Sequence, residues 1–163
     1  MYIKLINKQL ILGNYKIKCS IGKRGISKKK VEGDKKTPIG TFKIKSVFYR
    51  KDRIKVLKTK LNKVIIKRNM GWCDDSSSKM YNKLVKLPFK FSAEKLWCRN
   101  HVYDILIVLN YNLKPVIKNK GSAIFLHVAK KNYSSTNGCV AVSKNNIKFL
   151  LSVINKNSKL IIK

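Results

Sequence analysis

Apolar and polar positions alternate with a period of two along much of this chain, in short runs separated by turn residues. Residues 2–6, 15–21, 41–48, 63–67, 102–109, 124–128, 139–142 and 159–162 show this alternation or are rich in β-branched side chains, as strands are. Turn signals fall between them, among them Leu12-Gly13-Asn14, Lys36-Thr37-Pro38 and Asn119-Lys120-Gly121. A helical period is clear once: Ile147, Leu150, Leu151 and Ile154 share one face of a run over 144–154, with Ser143 placed to cap it. A shorter helix over 92–98 would start from Ser92, with Lys95 standing where a capping box has Glu or Gln. These elements predict a mainly β fold, a sandwich or barrel-like domain with one or two short helices.

Length changes the picture little. A chain of 163 residues reads as a single domain over 1–163, and 44% apolar content is ample for a core. No window reaches the roughly 18 consecutive apolar residues of a bilayer span. The first residues break their apolar runs at Lys4, Lys8, Gln9 and Asn14, so no secretory signal is legible.

Charge adds more. The net charge is +31, supplied by 33 lysines and only five arginines spread along the whole length. Such a field attracts polyanions without sequence preference. Arginine, the residue suited to bidentate phosphate and base contacts, is scarce, which weighs against a dedicated nucleic-acid function. Four cysteines, at 19, 73, 98 and 139, form no C-x-x-C pair, and the two histidines lie far apart, so no metal site or cofactor is implied. Cys19 sits on a strand-like run as a small buried residue, while Cys73 and Cys98 each follow a tryptophan and could be bridged.

Reactive chemistry concentrates in 123–142. His127 lies on one apolar run and Cys139 opens the next, preceded by Thr136-Asn137-Gly138. If the two runs pair as neighbouring strands, the intervening loop, with Ser134 and Ser135, brings imidazole and thiol together. Cysteine attacks as a thiolate, and an imidazole within reach takes its proton. Glycine beside the nucleophile lets a main-chain N–H approach a substrate oxyanion. No acidic residue follows Asp104, so a backbone carbonyl must orient the ring, giving a dyad. The pattern reads as acyl transfer.

These residues resemble the active-site motif of the L,D-transpeptidase catalytic-domain family, bacterial enzymes that cross-link or trim peptidoglycan through a cysteine. Residues 31–44, VEGDKKTPIGTFKI, resemble the family's Gly-Asp-x-x-Thr-Pro-x-Gly-x-Phe segment. GWCDDSSSKMYNKLVKLPF, SAEKLWCRNHVYDILIVLNYN and GSAIFLHVA are similar to one branch of it, so the likeness spans about 15–155. It implies a β-sandwich catalytic domain with Cys139 as nucleophile, His127 as base and an oxyanion hole of backbone N–H groups near Gly138 and Cys139. Its substrates would be peptidoglycan stem peptides, and its setting the cell envelope. Many members carry Ser-His-Gly-Cys, then a hydrophobic residue and an arginine; here Thr136-Asn137 replaces Ser-His and Ala141 stands at the arginine. The loss of that charge leaves the acceptor open. Water in place of an amine would make an L,D-carboxypeptidase. A reading from another class is a basic module binding nucleic acid or anionic wall polymer without catalysis.

Seven carboxylates serve the whole chain, and Glu32, Asp34, Asp74 and Asp75 fall in or beside the resembling segments. A diamino acid in the substrate carries an ammonium that Asp74 or Asp75 could hold, with Trp72 as an apolar wall. Glu94 reads as a surface helix charge, and Thr37-Pro38-Ile39-Gly40 as a turn serving the fold.

Overall fold

The structure is a computed structural model that describes residues 1–28 and 31–163. In chain order its elements are β1 (Tyr2–Ile6), β2 (Gln9–Leu12), β3 (Tyr15–Ser20), β4 (Ile26–Ser27), β5 (Thr37–Pro38), β6 (Gly40–Tyr49) and β7 (Lys63–Ile65). Then come β8 (Met70–Cys73), β9 (Leu84–Lys86), β10 (Ala93–Lys95), β11 (Ile105–Leu109), β12 (Phe125–Val128), β13 (Val140–Val142), α1 (Lys144–Val153) and β14 (Lys159–Ile162).

The fold is mainly β, but the expected sandwich is corrected to a barrel-like ring. Strands run in the order β11-β12-β13-β3-β2-β1-β14-β6, and β6 pairs back onto β11. The cause is the length of β6. Its first residues pair with β14 and its last with β11, so one strand joins both ends of the sheet. Opposite Val108 and Leu109 stand Ser46 and Ile44, which leaves Lys45 as an extra residue; a bulge of this kind bends and twists its strand. Closure also leaves few unpaired edges.

Every ring strand sends apolar side chains into one core, from Ile3 and Leu5 on β1 to Leu160 and Ile162 on β14. The helix adds Ile147, Leu150 and Leu151, and Ser143 caps it by accepting from the Asn146 N–H, as its sequence predicts. A second core lies on the outer face of β11 and β12, where Leu106, Val108 and Phe125 meet Phe48, Ile66, Trp72, Leu96 and Tyr103. The three-stranded sheet β10-β8-β9 lies in the excursion that supplies this cover. Strands β11, β12 and β13 are therefore buried on both faces and read as continuous apolar runs.

Two local readings change. Residues 92–98 form no helix; Ala93–Lys95 pairs antiparallel with Gly71–Cys73, because strand pairing satisfies backbone groups that a short uncapped helix would leave open. Strand β2 was not separable by pattern, since Asn7 and Lys8 form a two-residue turn with φ of 47° and 56° and no glycine signals it. None of the four cysteines is in a disulfide, so Cys73 and Cys98 do not bridge.

One ion cluster fastens the ring to the helix. Asp104, with no solvent exposure, accepts from Arg53 (2.8 Å), Lys144 (2.7 Å) and His101 (2.8 Å). Burial pushes its carboxyl up, but these hydrogen bonds outweigh that and hold it below the usual range. Lys144 opens α1 directly after the strand that follows Cys139, so the cluster also fixes the site's backbone. Asp104→Asn should cost about 2 kcal/mol, less than the about 3–5 kcal/mol of a fully buried pair, because Arg53 and Lys144 can turn into water. The folded pKa lies below the unfolded one, so the Asp104 contribution is present near neutrality and vanishes as pH falls through the folded value. Urea titrations of both proteins at pH 7 and at pH 2–3 should show the difference shrinking in acid.

Candidate active site

Strands β12 and β13 run parallel, with Leu126 beside Val140 and His127 beside Ala141. Side chains alternate between faces, so Leu126, Val128, Val140 and Val142 enter the inner core while Phe125, His127, Cys139 and Ala141 share the outer face. Neighbouring strands thus carry imidazole and thiol on the same side, and both side chains line one cavity of about 530 Å³.

Each group is held. Cys139 Sγ accepts from the Phe125 N–H at 3.3 Å and lies 3.6 Å from the Ala123 carbonyl, to which the thiol donates. His127 Nδ1 lies 3.0 Å from the Val128 carbonyl. Carbonyl oxygen only accepts, so Nδ1 carries the proton and Nε2 is left as the basic nitrogen. The orienting group is therefore a backbone carbonyl. The Tyr103 ring stands edge-on to the imidazole, with centroids 5.4 Å apart.

Burial, helped by the charge of Lys130, outweighs the Val128 hydrogen bond and pulls the imidazole down to about 4. At neutral pH His127 is uncharged. A neutral ring with Nε2 unprotonated can accept a proton and is not a standing cation. Cys19 offers a contrast: in the inner core its thiol is pushed up to about 12 by burial and is inert.

The turn before Cys139 is braced by two hydroxyls. Thr136 Oγ1 donates to the Cys139 carbonyl (2.6 Å) and accepts from the Gly138 N–H (3.1 Å). Thr37 Oγ1, fully buried, donates to the Gly138 carbonyl (3.0 Å) and accepts from the Gly22 N–H (2.8 Å). Gly138 has φ of 131°, which only glycine adopts readily. Because its N–H is engaged by Thr136, an oxyanion at that amide would have to displace the hydroxyl.

The other expected residues divide. Ser135, Thr136, Asn137 and Asp74 line the cavity. Asp75 does not; its carboxylate accepts from the Ser77 N–H (2.9 Å) and Oγ (2.6 Å) and closes a turn. Trp72 does not either. It is core, edge-on to Phe125 and donating Nε1 to Asn82 (2.9 Å). Glu94, expected on a helix surface, projects from β10 into the cavity and accepts from the Tyr103 hydroxyl. Glu32 lines it too, accepting from the Tyr81 hydroxyl at 2.5 Å. Tyr103 and Tyr81 carried no sequence signal, since an aromatic in an apolar run reads as core.

A family model described as the L,D-transpeptidase catalytic domain matches residues 2–162. No curated protein matches the chain. Among solved structures, L,D-transpeptidase 1 of Mycobacterium tuberculosis aligns with TM-score 0.45 at 10% identity, covering 99% of this chain and 57% of that one. The present chain thus spans a little over half the length of that protein.

Two outcomes follow from the geometry. Thr37→Val should orphan the buried Gly22 N–H and cost about 1–3 kcal/mol in a thermal or urea melt, while Thr37→Ser keeps both bonds and most of the stability. His127 has a folded pKa of about 4 against an ordinary 6.5, so between those values the unfolded chain holds a proton the folded chain lacks. Stability should therefore fall by about 3 kcal/mol as pH drops from 6.5 to 4. His127→Gln should flatten that part of the stability curve.

Proposed function

The chain belongs to the L,D-transpeptidase catalytic domain family, and we propose that it is a cysteine acyltransferase acting on peptidoglycan stem peptides, with residues 1–163 as one catalytic domain. The observation that carries this reading is the placement of His127 and Cys139 on one face of adjacent strands, lining one cavity, with Nε2 as the free base.

The chemistry runs in two halves. His127 Nε2 takes the thiol proton as Cys139 Sγ attacks the amide carbonyl on the L-centre of a diamino residue. The C–N bond then breaks, the proton passes from His127 to the leaving amine, and a thioester remains on Cys139. An amine of a second stem attacks that thioester and gives its proton to His127; the C–S bond breaks and the thiol is restored. Water in the same position would release a carboxylic acid, the L,D-carboxypeptidase outcome. Asn137, beside the nucleophile on the cavity wall, is placed to donate to a substrate oxygen. Ala141, opposite His127 on β13, supplies no charge where many members have arginine, so orientation falls to other groups on the wall.

A carbapenem, a strained β-lactam, tests the nucleophile. Incubation should add one acyl mass, mapped by peptide mass spectrometry to Cys139, and Cys139→Ala should take none. His127→Ala should slow acylation about 10²–10⁴-fold. Equal labelling of wild type and Cys139→Ala would overturn the assignment.

A further inference from the structure

Four rings lead from the outer core to the imidazole. Trp72 stands edge-on to Phe125 (centroids 5.3 Å, interplanar angle 90°), Phe125 to Tyr103 (6.1 Å, 90°) and Tyr103 to His127 (5.4 Å, 84°). Near-perpendicular contacts at these spacings are a favoured arrangement for aromatic pairs. The series returns on itself. Glu94 accepts from the Tyr103 hydroxyl, and Glu94 is also the register partner of Trp72 across β10 and β8. Phe125, in the middle, donates its N–H to Cys139 Sγ (3.3 Å), so the same set touches both imidazole and thiol.

Tyr103 is held along its whole length. The Val102 carbonyl before it accepts from the Val128 N–H (3.1 Å), and Asp104 after it gathers Arg53, Lys144 and His101. Its ring is buried, and its hydroxyl is tied at the far end by Glu94. His127 is held by less. Its hydrogen bond to the Val128 carbonyl, on the next residue, decides which nitrogen carries the proton. The Tyr103 ring supplies the packing against its plane.

The hydroxyl bond is not explained by core filling. Although Glu94 is an exposed residue, its carboxyl reaches the cavity wall. There loss of water first, and then the charges of Asp74 and Glu32, push its pKa up despite the Tyr103 bond. Burial keeps the Tyr103 phenol protonated well past neutrality, so it stays a donor. Phenylalanine would fill the same space with no carboxylate to desolvate.

We propose that Glu94 and Tyr103 form a clamp that positions the base: Glu94 anchors the Tyr103 hydroxyl, and the anchored ring keeps the His127 imidazole oriented and dry, with Nε2 free toward Cys139. This rests on His127 acting as base to Cys139. A backbone carbonyl then sets the proton and a carboxylate-anchored phenol sets the plane, in place of a third acid. Among the described residues, the other charged groups facing the clamp are Lys130, which lowers the His127 pKa, Asp74, Glu32 and the cavity residue Lys35.

Tyr103→Phe removes the donor and Glu94→Ala the acceptor, while Glu94→Gln keeps an acceptor without the charge. Carbapenem acylation of the full chain at neutral pH should slow about tenfold in Tyr103→Phe and in Glu94→Ala. The double variant should be no slower than the slower single one, because both break the same bond. Glu94→Gln should stay within about threefold of wild type. Raising the pH to about 9.5, where a thiol ionises without a base, should shrink the deficit of the slow variants to about twofold. A second readout needs no acylation. Nitrogen NMR of isotope-labelled histidine, assigned against His127→Gln, should place the His127 midpoint at about 4 in wild type. In Tyr103→Phe and Glu94→Ala, where water reaches the ring, it should move toward the ordinary 6.5. A deficit equal at both pH values, a Glu94→Gln variant as slow as Glu94→Ala, or a His127 midpoint unmoved in both slow variants overturns the clamp. A wild type that carbapenem does not acylate overturns the reading of Cys139, and the NMR midpoints then decide the clamp alone.

Discussion

One buried hydroxyl joins the pieces of chain on which the site depends. Thr37 Oγ1 accepts from the Gly22 N–H and donates to the Gly138 carbonyl, so segments 15 and 101 residues away meet at one atom. Around it the Thr136 N–H reaches the Ile21 carbonyl and the Lys23 N–H reaches the Thr136 carbonyl. The approach is so close that a Cβ on Gly22 would lie 2.5 Å from the Lys35 carbonyl oxygen, which leaves glycine as the residue that fits. Closing such long loops costs entropy, and a fully buried bond with both roles filled returns it only when all three segments are in place. Cys139 is thus positioned by the folded whole, and the loop preceding it could not hold the geometry alone.

Burial of β12 and β13 on both faces explains the state of the dyad. A ring with its core inside would normally give its outer face to water, and an imidazole there would titrate near neutrality. Here the excursion carrying Trp72 and Tyr103 covers that face, and the same cover that shapes the cavity strips water from His127. A ring kept neutral by burial costs stability in acid and leaves Nε2 unprotonated at neutral pH. Stability and chemistry are set by one desolvation.

Sequence pattern revealed most of the ring and the two residues, His127 and Cys139, that line one cavity, because both express local regularities. Strands 2–6 and 159–162 and the Ser143-capped helix follow the periodicity closely, and His127 and Cys139 are unusual residue types for apolar runs. What escaped is what depends on distant partners. Ring closure depends on β6 having two neighbours and a bulge, which alternation does not encode. Glu94 looked like a helix charge because its strand has no apolar period and is held only by β8. Trp72 and Asp75 lie beside Asp74 in sequence, yet the chain turns one into the core and the other into a turn. Thr37 was legible as part of a turn, but its two hydrogen bonds lie across the molecule.

The large positive charge of the surface and the mixed charge of the cavity belong to one electrostatic arrangement. Exposed lysines in all directions draw in anionic material through long-range attraction that salt screens within about a Debye length. That field has no means of choosing among polyanions. Selection needs short-range contacts in a confined place, where desolvated charges act more strongly than at the surface. Among the described residues, Asp52 and Asp104 pair with the protein's own cations, while Glu32, Asp74 and Glu94 line the cavity beside Cys139 together with Lys35 and Lys130. In such a layout the surface draws anionic material near, while the recess presents both signs of charge at close range. The bulk charge therefore bears on encounter, while the recess holds a local balance of charge that the net value of +31 conceals.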